Sequence, residues 1–379
     1  MPERVLEIQA LTPLLFRDGR PFAGSEGSET VAQSLPLPLP RTVAGFVRTQ
    51  LGKRQGVRFR DDHEALQRLH GLQICSPLLV RGGEFVLPAP RDAVLYRKDD
   101  RLELMRLKPL EPGPGSGCDN PEGLWPLEVT EDLKPESGYR FWRAAEMTRW
   151  LLGQEVIPQK IGGLPSETRV HVGIDKSSGK AEEGRLYSVT YKVLESLEGE
   201  PKQHYSWSLR ARVKLAEGEA PEPLGFLGGE ARPVRVSVHE ELSEYWFDCP
   251  PEIKEAFAKL KAGDRVRLVL ATPALFEGGW KPGWIEKSGT GELHLPRGLS
   301  KVKLKLLAAA VGRREPLSGW SLRENRPRPV RWMVPAGSVY FFEVLEGNPA
   351  DLLESWLRPV SDDEQDRKDG FGLALWGVS

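Results

Sequence analysis

The chain has 379 residues, 39% hydrophobic and 28% charged, with a net charge of −1; this excludes a disordered chain, gives no global nucleic-acid signal and suggests two domains with ample core. Three scattered cysteines, Cys75, Cys118 and Cys249, form no CxxC pair, so neither a zinc site nor a disulfide framework is expected and reducing cytoplasm is the default location. No apolar run reaches membrane-spanning length and MPERVLEIQA has no signal-peptide core, so no membrane partner is expected.

In chain order, Val5, Leu6 and Ile8 predict a strand over 5–10. Residues 42–55 predict a helix, with Val43, Phe46, Val47 and Leu51 at helical spacing behind Thr42 as N-cap. LQICSPLLV and GEFVLP read as a hairpin, 111–123 as a flexible loop, and FWRAAEMTRWLLG as a helix. PPEIKEAFAKLKAG (250–263) reads as a connecting helix with Pro at its start and Gly at its end. VKLKLLAAAV and GSVYFFEVL read as strands and PADLLESWL as a helix.

A repeat organises these elements. RVLEIQALTPLLFRDG (4–19) is similar to RVRLVLATPALFEGG (265–279): a strand, Thr-Pro, a Leu-Phe pair and a glycine turn. Each copy's half also closes on a glycine cluster, LGFLGGEARPVRV (224–236) and DGFGLALWG (369–377). The economical fold class is α+β, two βαββαβ (RRM-like) units in tandem, each an antiparallel sheet with helices on one face.

Enzyme signatures are missing from the sequence: no GxxxxGK[ST], HExxH, GxSxG or strict GxGxxG occurs. No cofactor is implied. His63 and His70 share DDHEALQRLHG, read as a solvated helix surface, and SDDEQDRKD (361–369) reads as a solvated acidic loop. Residues 281–331 carry twelve Lys or Arg against Glu286, Glu292, Glu315 and Glu324, with Trp280, Trp284, Trp320 and Trp332 interleaved. A cationic face with aromatics suits single-stranded nucleic acid, and a partner-protein interface or a solvated sheet face stays open. In LGFLGGEARPVRV, Gly225, Gly228 and Gly229 offer backbone N–H groups and Arg232 a charge. A nucleic-acid seat and a plain turn both remain open.

LLFRDGRPF, LPLPRTVAGFVRTQLG, VGIDKSSGKAEEGRLYSVTYK and LGGEARPV, in this order, resemble the Cmr RAMP subunit conventionally numbered third, from type III-B CRISPR effectors. The resemblance implies tandem ferredoxin-like RAMP folds: 1–245, carrying the 111–123 loop and a thumb-like hairpin at about 155–192, then 246–379. It implies a non-catalytic subunit that holds the 5′ tag of the guide (CRISPR) RNA. Its implied partners are the polymerase-like large subunit and neighbouring backbone RAMP subunits. The alternative is a RAMP endoribonuclease that processes guide RNA, although no His precedes His63. The implied RNA-binding residues are Arg17 and Arg20 in the FRDGR turn, Arg41, Thr42 and Arg48 at the first helix, and Gly228, Gly229 and Arg232 in the glycine loop. Lys160, Arg169, His171 and Lys176 in or beside the hairpin complete the set, with no catalytic or metal residue.

Overall fold

The computed structural model describes residues 2–20, 30–115, 120–121, 123–131, 133–240, 247–321 and 325–379, with backbone alone at 320–321. The first half opens with strand β1 (Glu3–Ala10), the short strand β2 (Val31–Ala32), and helices α1 (Pro40–Arg54) and α2 (His63–Gly71). Strands β3 (Ile74–Arg81), β4 (Glu84–Pro88) and β5 (Phe141–Arg143) and helix α3 (Ala144–Leu151) follow. A long ribbon of β6 (Ser166–Ile174) and β7 (Ala181–Lys192) precedes β8 (Gln203–Lys214), β9 (Leu224–Phe226) and β10 (Pro233–His239). The second half comprises α4 (Pro251–Phe257), β11 (Arg265–Leu270), β12 (Lys303–Ala310), β13 (Glu315–Leu317), β14 (Arg331–Met333), β15 (Val339–Glu346), α5 (Glu364–Lys368) and β16 (Ala374–Val378).

The architecture is α+β, rich in strands and sparing in helix. In an eight-stranded sheet, β10, β1, β8 and β3 lie side by side in that order, each pair antiparallel. A four-stranded sheet has the order β16, β11, β15, β12, again antiparallel throughout. The two strands that precede Thr12-Pro13 and Thr272-Pro273 therefore hold equivalent interior places.

Local chemistry explains the element boundaries. Helix α1 begins at Pro40 with Leu39 as its cap, and no side chain caps it. Proline at the first helical position loses nothing, because that N–H has no partner in any helix. Thr42 is therefore inside the first turn, a correction to its expected capping role. Lys53 and Arg54 sit in the last turn, where the helix dipole favours cations. FWRAAEMTRWLLG divides into strand and helix: Phe141–Arg143 pairs with β4, and the Glu146 carboxylate then accepts the Arg143 N–H at 2.8 Å where α3 starts. Asn348 caps a 3-10 helix, Pro349–Ser355, where a longer α-helix is expected from PADLLESWL.

Alternation decides which core each residue joins. On β1, Leu6 and Ile8 pack beneath Val43, Val47 and Leu51 of α1. Val5, on the opposite face, joins a larger cluster that includes Leu78, Trp142, Val266, Leu268, Phe342 and Trp376. That cluster draws on both halves. Inside it the Arg267 guanidinium donates to Asp92 at 2.6 Å, and Trp150 Nε1 donates to the same carboxylate at 2.9 Å. The boundary expected at 245/246 lies on the edge of 241–246, outside the described residues, as do 116–119 and 122 of the expected flexible loop and Pro21-Phe22 of LLFRDGRPF.

Candidate nucleic-acid interface

The expected thumb-like segment contains the ribbon β6–β7, paired from Ser166↔Lys192 to Ile174↔Ala181 with a register shift after Val172. At its tip the Asp175 carboxylate accepts from the Ser177 and Ser178 amides at 3.0 and 2.7 Å, and from both hydroxyls. The Ser177 and Ser178 hydrogen bonds hold Asp175 well below the usual carboxylate range. Asp175 thus folds the tip, and its neighbour Lys176 is exposed there. Along the ribbon, period-two alternation puts Glu167, Arg169 and His171 on one face with Tyr187, Val189 and Tyr191. That face lies on Leu15 and Ala32. The opposite face exposes Val170, Val172, Ile174 and Leu186.

The glycine loop docks against the same place. Gly228 has φ +80°, and a Cβ there would lie 2.3 Å from the Leu15 carbonyl oxygen. The Gly229 N–H donates to that oxygen at 2.8 Å. A Cβ at Gly225 would meet the Gln50 amide at 2.2 Å. The glycines therefore seat the loop on the exit of β1 and on α1. The Gly229 amide is already satisfied, which corrects the picture of an open N–H cradle at that position.

What the seated loop presents is a side-chain cluster. Glu230, at φ +56°, accepts from Tyr191 Oη at 2.6 Å and from Arg232 Nη2 at 2.7 Å. The Arg232 guanidinium stands 4.2 Å from the Tyr191 ring centre, and that of Arg169 stands 5.4 Å away. Arg169 is also paired to Glu167 at 2.6 Å. His171 Nε2 is 3.2 Å from Tyr191 Oη, and its ring stacks on Tyr187 at 5.2 Å with an 11° tilt. Burial raises the Tyr191 phenol, and its bond to Glu230 adds to the rise. Burial pushes Glu230 upward, but hydrogen bonds from Tyr191 and Arg232 outweigh it, so the net shift is downward. The cluster places two guanidiniums, each paired to a glutamate but neither fully buried, beside the His171–Tyr187 stack, the two kinds of group that phosphates and bases require.

The structure thus gathers Arg169, His171, Gly228, Gly229 and Arg232. The FRDGR turn is adjacent through β2, which pairs with β7 by Ser188↔Val31 while Arg17 bridges Ser34. Arg20 is held by Asp18 and by Gln33 at 2.9 Å. The other candidates lie apart. Arg48 is 7% exposed, and donates to Asp369 at 2.6 Å and to the Leu72 and Lys368 carbonyls. Arg41 reaches Asp369 at 3.2 Å and Asp366 at 3.4 Å, and Thr42 sits half-buried beside it. Arg48 is corrected from phosphate ligand to inter-half ion pair, because a guanidinium this buried, with both terminal nitrogens committed to protein acceptors, has no face for RNA. The acidic segment 361–369 is equally corrected from solvated loop: Asp366 and Asp369 are buried partners of α1 and of Arg331. Lys160 is exposed beside Tyr139, its ammonium 5.8 Å from that ring.

The alternating lysines of 303–305 do not make a cationic face, since Lys303 pairs Glu346 at 3.2 Å and Lys305 lies 3.9 Å from Glu343 on β15. Trp284 is core, donating to the Val360 carbonyl. Tyr187, Tyr191, Glu167 and Glu230 escape the sequence-based candidates. The Tyr187–Tyr191 spacing in a predicted strand was the available signal, since it places both rings on one face. Among the described residues no group of three or more His, Cys, Asp or Glu could hold a metal ion, and no helix is long and apolar enough to cross a membrane.

The fold and this cluster define an α+β protein in which a glycine loop seats an arginine–tyrosine site against a long ribbon. The chain matches, over residues 6–379, the family described as CRISPR-associated protein (Cas_Cmr3), and it belongs to that family. The resemblance carried by FRDGRPF and LGGEAR is thereby borne out, and the chain is a Cmr-type subunit. It is similar to a chain in a cryo-EM structure of the type III-B Cmr-beta bound to cognate target RNA, at 17% identity and TM-score 0.48, covering 89% of this chain and 86% of that one. The same assembly with AMPPnP gives 16% identity and TM-score 0.47, with the same coverages. A chain of the Csm3–Csm4 subcomplex of a type III-A interference complex gives 10% identity and TM-score 0.34, covering 91% and 94%. No curated protein matches the sequence.

Proposed function

We propose that this chain is a non-catalytic, cytoplasmic subunit of a type III-B Cmr effector that holds the 5′ tag of the guide RNA. In this reading it docks the polymerase-like large subunit and neighbouring backbone RAMP subunits. The observation that carries it is the convergence of Arg169 and Arg232 on the Tyr191 ring beside the His171–Tyr187 stack, where ribbon and glycine loop meet. Family membership supplies the choice of RNA. We read the two sheets, with their shared strand order, as tandem ferredoxin-like units over 1–245 and 246–379. Here the helix between third and fourth strands of the first unit is replaced by β9 and the glycine turn. Purifying the full chain with its natural partners and sequencing the copurifying RNA tests the assignment. Guide RNAs with a common 5′ segment are expected. Metal-independent cleavage of guide precursor, abolished by His63→Ala or His70→Ala, would transfer the chain to the processing-nuclease class.

A further inference from the structure

The ribbon site leaves one feature of the second half unused. Strands β13 and β14 pair by Glu315↔Met333 and Leu317↔Arg331, and beyond them Trp320↔Pro327 and Ser321↔Arg326 continue an arm. Leu317 and Met333 anchor its base beside Leu275 and Phe371. All of residues 325–332 are exposed, including Trp332 at 45% and Val330 at 58%. The Arg314 guanidinium lies 4.3 Å from the Trp332 ring centre. Arg331 is taken by Asp366, but among the described residues Arg313 and Arg328 enter no ion pair. With Arg331 paired to Asp366, Arg313, Arg314 and Arg328 still outnumber the single described carboxylate of Glu315 within 313–333.

Position adds to composition. A Cβ at Gly19 would lie 2.6 Å from Ser318 Oγ, so the arm rests against the FRDGR turn, whose other side borders the ribbon. A half-exposed indole beside a guanidinium is placed to take a third planar group onto the stack. An acidic protein segment would match the charge and could also bury the indole, so it is kept as an outcome of the test, and the RNA-holding reading decides for a single strand. A single strand satisfies both.

We propose that the arm is a second contact for single-stranded nucleic acid, with a base stacked at Trp332 beside Arg314 and flanking phosphates held by Arg313 and Arg328. It extends the RNA-holding reading and rests on it for the choice of ligand.

The test uses the full chain and a fluorescein-labelled single-stranded oligouridylate, followed by anisotropy across a salt series. Trp332→Ala is expected to weaken binding about tenfold with an unchanged salt slope, and Trp332→Phe to recover most of it. Arg328→Ala is expected to weaken binding and make the slope shallower by about one phosphate. Both positions are exposed, so circular dichroism of the three arm variants should match wild type. Arg232→Ala serves as the ribbon control. Arm variants that bind like wild type while Arg232→Ala binds weakly overturn the arm and leave the ribbon reading standing. Loss on the arm variants alone supports the arm and overturns the ribbon reading. Wild type that does not bind the probe overturns both. An oligoaspartate peptide that displaces the probe, and whose own binding falls more on Trp332→Ala than the probe's, overturns the proposal in favour of an acidic protein partner.

Discussion

Arg48→Ala separates a structural arginine from an RNA-binding one. The wild-type guanidinium donates to Asp369 Oδ1 at 2.6 Å, to the Leu72 carbonyl at 2.8 Å and to the Lys368 carbonyl at 2.9 Å. It thereby ties α1 of the first half to α5 of the second. Deleting one member of a buried ion pair costs about 3–5 kcal/mol, mostly for stranding the other charge. Asp369 is not wholly stranded here: Arg41 stays 3.2 Å from Oδ2, and the Gln365 amide donates to Oδ1 at 3.1 Å. The lower end, about 3 kcal/mol, is therefore the expected loss. Urea unfolding followed by tryptophan fluorescence should show a lower midpoint with an unchanged slope. Because the pair is buried, salt should not restore stability. An unchanged midpoint combined with weaker, less salt-sensitive guide binding would refute this reasoning and return Arg48 to the RNA surface.

Other consequences are equally specific. Gly228→Val should destabilise by about 1–3 kcal/mol through strain at φ +80°, on top of the clash with the Leu15 carbonyl; unfolding midpoints of valine and alanine variants that match wild type would contradict the seated loop. Burial pushes the Cys249 thiol up to about 12, so in the folded chain it should resist iodoacetamide at mild alkaline pH and react only after denaturation; mass-spectrometric labelling checks this. Glu230 is held below its ordinary value, so its contribution to loop stability is full above the unfolded carboxylate range and fades as pH falls through the lower folded value. Glu230→Gln should remove that acid-dependent part, read by hydrogen exchange of 228–232 against pH, and an unaltered pH profile in the variant would sink the idea.

Much of the framework was legible. The Thr-Pro repeat located β1 and β11, and LQICSPLLV with GEFVLP located the β3–β4 hairpin, whose Gly82-Gly83 turn takes positive φ at both residues. The glycine loop was read from its residues, and a hairpin within about 155–192 was implied by the family resemblance. What failed was long-range pairing. Arg48 on an apparently amphipathic helix gives no hint of Asp369, 321 residues away. Lys303 and Lys305 alternate as a cationic strand should, yet the carboxylates that neutralise them arrive on a neighbouring strand. The glycines of the loop left a nucleic-acid seat and a plain turn both open because sequence cannot distinguish backbone approach to a ligand from backbone approach to Leu15. Glu230 looked incidental until the fold placed Tyr191 and Arg232 around it.

The central claim is that guide RNA lies where ribbon and glycine loop meet. Photo-crosslinking the assembled complex, with 4-thiouridine in the guide's 5′ tag and peptides of this chain mapped by mass spectrometry, tests it most directly. The account predicts crosslinks to peptides from 166–192 and 224–239, with Arg169→Ala and Arg232→Ala together reducing them while the complex still assembles. Tag crosslinks confined to other parts of the chain, or to other subunits alone, and unaffected by that double variant, would contradict it.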